Sequence, residues 1–311
     1  MCVRGKNKHL IVVMGPTAVG KTRFGVKLAK HFGTEVISAD ARQCYRGMSI
    51  GTAQPTDEEK EGVPHHLVGF LPVQAVYSAG QFARDALGVL EGLFKKHDYA
   101  VLVGGSGLYI QAVCEGLDEM PVVDASVVAY LNKRWQEEGL SVLVQELLVR
   151  DPVYHARVDI RNPHRVIRAL AVCLATGGRY SDFRKRAPQE RYFSVSKIGL
   201  TLDREVLYER IRQRVKDMFS GGLVEEVESL YAYRGCNALK TVGYREVFGY
   251  LEGRYGLEEA MGLVVRNTRR YAKRQMTWLR GGLALRGLWA TDLGSLFLKI
   301  FNHCFVAIFS C

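Results

Sequence analysis

The sequence predicts an α/β fold in which a parallel sheet is flanked by helices and interrupted by an all-helical insertion. Three observations predict it. Short continuous apolar runs alternate with helical patterns near the start of the chain, a glycine-rich segment separates the first run from the first helix, and strand character disappears from about Met120.

His9 to Met14 (HLIVVM) is apolar throughout after its first residue and is closed by Gly15 and Pro16, the pattern of a strand buried on both faces. In Thr22 to Phe32, Phe24, Val26, Leu28, Ala29 and Phe32 sit among lysines, which reads as an amphipathic helix. Glu35 to Ala39 and Tyr99 to Val103 read as two more buried strands, with a helix at Ser78 to Lys95 between them. An alternation of this kind puts ligands at the carboxyl ends of the strands. Val127 to Leu148 is helical in period, and Asn162 to Thr176 follows with arginines among Val166, Ile167, Leu170 and Val172. Strand character resumes at Val195 to Leu202, and long helices at 204–231 and 257–280 carry most of the remaining basic residues. Gly139 and Gly177–Gly178 read as helix caps or hinges.

Four segments are therefore expected: 1–120 as the first part of the core, 121–190 as the helical insertion, 191–282 as the second part of the core with basic helices, and 283–311 as an apolar tail. In the tail Leu293, Leu296, Phe297, Ile300, Phe301, Cys304, Phe305 and Ile308 fall at helical spacing. Lys299, Asn302 and His303 interrupt a run already too short for a bilayer, so the tail is expected to dock on the body.

Hydrophobic residues at 48% and charged residues at 24% exclude a disordered chain, a collagen-like chain and a polytopic membrane protein. Lysine and arginine number 43 against 32 acids, a net charge of +11 that points to a polyanionic partner. The seven cysteines are scattered without a C-x-x-C pair, as reduced thiols of a cytoplasmic protein would be. The N-terminal apolar run is too short for a secretory signal.

Gly15-Pro16-Thr17-Ala18-Val19-Gly20-Lys21-Thr22 fits G-x-x-x-x-G-K-[ST] between a strand and a helix, the P-loop context. Its glycines let backbone N–H groups wrap a diphosphate, Lys21 adds a mobile cation, and the Thr22 hydroxyl can hold Mg²⁺. The core is thus P-loop NTPase-like. Asp40 ends the second strand, where it would face the same crevice, or else cap the next turn or hold Mg²⁺ through water. The third strand ends Gly104-Gly105-Ser106-Gly107, without the acid of a motor ATPase, and the chain has no [NT]-K-x-D guanine-reading motif. The pair His65 and His66 has no third ligand at metal-binding spacing and reads as structural.

With these features the sequence resembles the tRNA dimethylallyltransferases over residues 10–282. The resemblance rests on GPTAVGKT, SADARQCYRGMSIGTAQP (38–55), VPHHL (63–67), VGGSGLY (103–109), KTVGYRE (240–246) and YAKRQMTWLR (271–280). It implies transfer of a dimethylallyl group from dimethylallyl diphosphate to the N6 amine of the adenosine just 3′ of the anticodon, with Mg²⁺ as the one cofactor and tRNA as the partner. Asp40 matches the family's catalytic aspartate, Lys21 and Thr22 serve the diphosphate, and Thr17 and Arg214 contact it; the alternative for Arg214 is an exposed helix arginine. RNA contact is implied at Asp40, Ala41, Arg42 and Gln43, near the flipped base, and at Ser106, which stands where threonine is usual. It is implied also at Val128, at His164, Arg165, Val166, Ile167 and Arg168, and at Lys240, Thr241, Val242, Gly243, Tyr244 and Arg245, with Tyr244 available for stacking. Last come Lys273, Arg274, Gln275, Met276, Thr277, Trp278, Leu279 and Arg280. Arg266, Arg269, Arg270, Lys273 and Arg280 lie close to one helical stripe, which is either an RNA-facing surface or a solvated face.

Ser49, Gln54, Gly69 and Val128 depart from the family pattern, with Gln54 in place of a usual lysine and Val128 in place of a common arginine. The chain is expected to act as a monomer, away from membranes. Two rivals stand beside the prenyl-transfer reading. A small-molecule or nucleoside kinase would turn over ATP without RNA, and an RNA-binding protein with a nucleotide-sensing loop would leave its RNA unchanged.

Overall fold

Five of the six residues of β1 (His9–Met14) are buried, as an apolar run must be where helices cover both faces of a parallel sheet. In the computed structural model, which describes residues 8–184, 189–282 and 289–290, β1 belongs to a unit built from residues up to Glu115 and from Glu190 onward; Gly116–Gln189 form a second unit. In chain order, β1 leads into α1 (Lys21–His31), β2 (Val36–Ala39), α2 (Asp57–Lys60), β3 (His65–His66), α3 (Ala79–Phe94), β4 (Tyr99–Gly104) and α4 (Gly107–Cys114). The second unit holds α5 (Ala125–Glu138), α6 (Leu140–Arg150), α7 (Pro152–His155), α8 (Pro163–Thr176) and α9 (Tyr180–Phe183). The first unit resumes with β5 (Ser194–Leu200), α10 (Arg204–Ser220), α11 (Leu223–Ser229), α12 (Tyr244–Leu251), α13 (Leu257–Gly282) and β6 (Trp289–Ala290).

The sheet order is β3-β2-β4-β1-β5-β6, and all pairs are parallel. From β1 the chain runs outward past the place of β4 to β2, and later β5 adds on β1's other side. The order therefore reverses at β1, and the crevice that binds ligands in such sheets opens at its carboxyl end. Met14 pairs with Gly104 and with Gly199, and Ala39 pairs with Gly104, so Gly15, Asp40 and Gly105 all follow strands that end at the same edge. Phe24, Val26 and Leu28 of α1 pack with Ile11, Val13, Val101, Val103 and Ile198 of the sheet and with Leu207 and Ile211 of α10.

The fold class predicted from sequence is the one observed, with differences that have local causes. The single helix expected over 127–148 is two, broken at Gly139, and that expected over 204–231 breaks at Gly221–Gly222. There Gly222 takes φ +97°, a left-handed conformation that an L side chain resists. β3 was unforeseen because its two residues are polar. His65 and His66 pair with Val36 and Ile37 as an edge strand. The His65 Nδ1–H donates to the Val63 carbonyl, and His66 Nε2 lies 2.5 Å from Glu35 Oε2, so both rings have structural partners. The expected tail, apart from β6, lies outside the described residues.

In the second unit Leu131, Leu143, Leu147, Tyr154, Val166, Ile167 and Leu170 form a core of their own. Asp151, fully buried, accepts the Tyr154 N–H and both the N–H and hydroxyl of Ser181, which fixes α7 to α9. The structure corrects two of the expected RNA contacts. Val166 and Ile167 belong to this core and offer RNA nothing, because α8 is amphipathic and turns His164, Arg165 and Arg168 outward in their place. Val128 packs against the rim of that core but is half-buried, so part of its surface stays open to RNA.

Candidate active site

The loop between β1 and α1 has the geometry of an anion cradle. Ala18 takes φ +64° and Gly20 φ +99°, and such left-handed residues turn successive N–H groups toward one point. A non-glycine residue held there carries about 1–2 kcal/mol of strain. The start of α1 lacks a side-chain cap and has no acid in its first turn, so its orphan N–H groups and its dipole are left to serve an external anion.

Cations surround this loop. Lys21 Nζ donates to the Pro16 carbonyl at 2.7 Å, curled back over the loop it belongs to. Burial lowers its pKa to about 8, opposed by the negative charge of Asp40 and reinforced by the positive charge of Arg214. Arg214 comes from α10 and donates to Thr17 Oγ1 at 3.4 Å, with its own pKa lowered by burial. It is thus a half-buried partner of the P-loop, not the exposed helix arginine of the alternative reading. Arg210, unforeseen from sequence, stands beside Gly20: a Cβ there would lie 3.9 Å from its Nη1.

Across from Lys21, Asp40 Oδ1 accepts the N–H of Arg42 at 2.9 Å and that of Gln43 at 3.4 Å. The carboxylate therefore caps the turn and also acts on Lys21; the two readings of Asp40 coexist. Ser106 Oγ accepts the Ala41 N–H at 2.9 Å, tying the end of β4 to the same turn. Tyr271 of α13 lies beside Ser106, and burial together with the nearby charge of Asp40 raises its phenol pKa. Sequence reasoning passed over Tyr271. Its signal was its place four residues before Gln275, on the same side of α13.

Several residues expected to touch RNA have structural duties instead. Gln275 is 7% exposed; its Oε1 accepts the Thr17 N–H at 2.9 Å and its Nε2 donates to the Gly105 carbonyl at 3.1 Å, which splints α13 to the cradle. A Cβ on Gly105 would collide with that amide. Leu279 is fully buried, and half-buried Trp278 packs over Gly107. Lys273, Arg274, Thr277 and Arg280 are exposed and Met276 is half-buried, with the Arg274 guanidinium 5.8 Å from the Tyr271 ring centre. Gln43 is engaged at both ends: Nε2 donates to the Thr52 and Ala53 carbonyls, and Oε1 accepts from Ser38. The departure Gln54 serves the same loop, donating to the carbonyls of Gln43 and Tyr45.

Tyr244 is the clearest correction. The ring expected to stack on a base is fully buried at the start of α12, and its hydroxyl donates to Glu226 Oε1 at 2.6 Å. Glu226 also accepts the N–H groups of Ile50 and Gly51 and the Ser49 hydroxyl, so a single carboxylate from α11 holds the loop that follows Gln43. Gly243 is buried as well, and its N–H donates to Glu246; Lys240 and Arg245 stay exposed, Thr241 and Val242 half-buried. Removing the hydroxyl in Tyr244→Phe is expected to lower stability by about 1.5–3 kcal/mol, the range for a bond to a charged group. Urea unfolding measures it; an unchanged midpoint would contradict the role assigned to Glu226.

The Thr22 hydroxyl, half-exposed on the first turn of α1, is a hard oxygen donor of the kind Mg²⁺ takes. Among the described residues no group of three His, Cys, Asp or Glu side chains could form an all-protein cage. The arrangement fits an ion held by Thr22 and by the oxygens of a bound diphosphate.

A diphosphate cradle at the switch point of a parallel sheet, faced by one carboxylate, defines a P-loop transferase. Residues 43–282 match the IPP transferase family, and the chain belongs to that family. It is 48% identical over 271 residues to tRNA dimethylallyltransferase 1 of Phocaeicola vulgatus, a match covering 87% of this chain and 90% of the relative. To the tRNA dimethylallyltransferase of Christiangramia forsetii it is 47% identical over 274 residues, covering 88% and 91%. Among solved structures, the full-length tRNA isopentenylpyrophosphate transferase of Bacillus halodurans superposes with a TM-score of 0.70 at 38% identity, over 97% of this chain and 96% of that one.

Proposed function

We propose that this protein transfers the dimethylallyl group of dimethylallyl diphosphate to the exocyclic N6 amine of the adenosine 3′-adjacent to the anticodon of tRNA; its relatives' names indicate dimethylallyl transfer to tRNA for them. The observation that carries the reading is the pairing of the Lys21 cradle with Asp40 at one sheet edge. In this reading a C–N bond forms between N6 and the allylic carbon as the C–O bond to the diphosphate breaks. The N6 proton passes to Asp40, and diphosphate leaves with the electrons of the C–O bond. Asp40 must remove that proton because an adenine amine is a poor nucleophile. The loop N–H groups, Lys21, Arg214 and Thr17 hold the leaving group, where fixed donors gain strength as charge develops. A Mg²⁺ ion on Thr22 would add positive charge at the diphosphate oxygens. Ala41, Arg42, His164, Arg165, Arg168, Lys240, Arg245, Lys273, Arg274 and Arg280 remain as half-buried or exposed groups for RNA contact. Because tRNA is the proposed substrate, the reaction is placed in the cytoplasm, with the protein acting as a monomer. Among the described residues no helix is long and apolar enough to cross a membrane.

RNA dependence tests the reading. Diphosphate release from dimethylallyl diphosphate is expected only with unmodified tRNA present, and ATP is expected to give no turnover without RNA. Steady ATP hydrolysis with no release from the allylic substrate would instead favour the kinase.

The lowered pKa of Lys21 gives a pH signature. Binding an anionic diphosphate restores the charged form that burial disfavours, so the bound pKa rises above about 8. At about one unit above that value the free lysine is mostly neutral, and binding takes up nearly one proton; at neutral pH it takes up little. Affinity therefore falls as pH rises past about 8. Calorimetry in buffers of low and high ionisation enthalpy measures the uptake, and identical heats in both would contradict it.

A further inference from the structure

A cleft of about 280 Å³ lies along α13 and is lined by Gly262, Val265, Arg266, Arg269, Arg270 and Lys273, with Tyr208 of α10 beside them. Four cations share this small space, and none of them is in an ion pair among the described residues. The Arg269 Cζ sits over the Tyr208 ring, 4.8 Å from its centre, and the Arg204 Cζ is 5.2 Å from the centre of the same ring. The Arg269 Nε is buried and has no hydrogen-bond partner among the described residues. A buried donor without a partner is costly, and so is a cluster of like charges. An anion seated in the cleft relieves the crowding of like charge. Arginine is also the side chain whose planar fork and weak hydration suit phosphate.

This cleft is separate from the diphosphate cradle. Arg266, Arg269 or Arg270, and Lys273 follow helical spacing along one side of α13, whereas Gln275, which touches the P-loop, lies about half a turn beyond Lys273 on the other side. Gly262 leaves one end of the cleft open, since a Cβ there would meet nothing within 4 Å.

We infer that this cleft is a second anion site, built to take a backbone phosphate of the RNA away from the reacting adenosine. The inference rests on the RNA reading of the proposed function and deepens it, turning part of the basic stripe of α13 into a defined pocket that Tyr208 of α10 completes. Arg269 and Tyr208 form the fixed platform, and Arg266, Arg270 and Lys273 supply the surrounding charge.

Binding of a full-length tRNA transcript to the whole protein, followed by fluorescence anisotropy over a salt series, tests the inference. Arg269→Gln and Gly262→Glu are compared with wild type, and inorganic diphosphate serves as a second ligand. Gly262→Glu adds a carboxylate at an open helix position without removing any packing. Each variant is expected to weaken tRNA binding about tenfold at low salt, the effect of one charge-assisted contact. The slope of log affinity against log salt should shrink by about one, and diphosphate affinity should be unchanged. A wild-type slope and affinity in both variants would overturn the inference. Weakened diphosphate binding with intact tRNA binding would also overturn it, by assigning the cleft to a free anion. Binding is read without catalysis, so failure of prenyl transfer with these tRNA results intact would remove the proposed reaction and leave the cleft assignment standing.

Discussion

Asp40→Asn is expected to slow dimethylallyl transfer by about two to four orders of magnitude, the usual contribution of a positioned general base. The substitution separates the two roles of the residue. Asparagine keeps an oxygen that can accept the Arg42 and Gln43 N–H groups, so the turn after β2 should survive, while the group that takes the N6 proton is gone. The loss should fall on kcat, with the affinities for dimethylallyl diphosphate and tRNA nearly unchanged, because Asp40 acts on a proton that moves only in the reaction. Single-turnover kinetics at saturating substrates measures it. A variant within a few-fold of wild type would leave Asp40 as a turn cap only.

Lys21→Met is expected to cost about two to three orders of magnitude in transfer, as removal of one fixed donor at a developing anion does. It should also weaken diphosphate binding, and it should abolish the proton uptake near the Lys21 pKa. The sign of the stability change separates this loss from misfolding. The folded pKa of about 8 lies below the ordinary lysine value of 10.5, so below about pH 8 the folded state bears the cost of a buried charge that the unfolded chain does not. That cost fades as pH rises from about 8 toward the unfolded value. At neutral pH the methionine variant, lacking the charge, should be no less stable than wild type before any diphosphate is added. Paired thermal melts and transfer assays measure both effects, and a variant that is inactive because it unfolds would contradict this account.

Much of the first unit was legible because its elements are signalled locally. A buried parallel strand must be an apolar run, and G-x-x-x-x-G-K-[ST] between strand and helix has a stereochemical reason for each glycine. Asp40 was legible for the same reason, as the first polar residue past a buried strand. What stayed hidden is the direction in which a motif residue faces. Tyr244 and Gln275 lie in segments that resemble RNA-contacting motifs, yet the partner of one is Glu226 on another helix and that of the other is the Thr17 N–H, 258 positions away. Val166 and Ile167 look like RNA-contact positions only until α8 is folded onto Leu131 and Leu147. Tyr271 and Arg210 went unnoticed because a tyrosine or an arginine on an amphipathic helix carries no mark of the loop it will meet. Periodicity tells which side of a helix is buried and leaves open what it is buried against.

The central claim is that the cradle and Asp40 together move an allylic group onto one adenosine. The most direct measurement is to incubate the protein with isotopically labelled dimethylallyl diphosphate, Mg²⁺ and an unmodified tRNA with adenosines beside the anticodon, then digest the tRNA and identify the labelled nucleoside by mass spectrometry. The account predicts a single labelled product, N6-(dimethylallyl)adenosine, from the position 3′-adjacent to the anticodon, formed by wild type and nearly absent with Asp40→Asn. Unlabelled tRNA, or label on another base or atom, would contradict it.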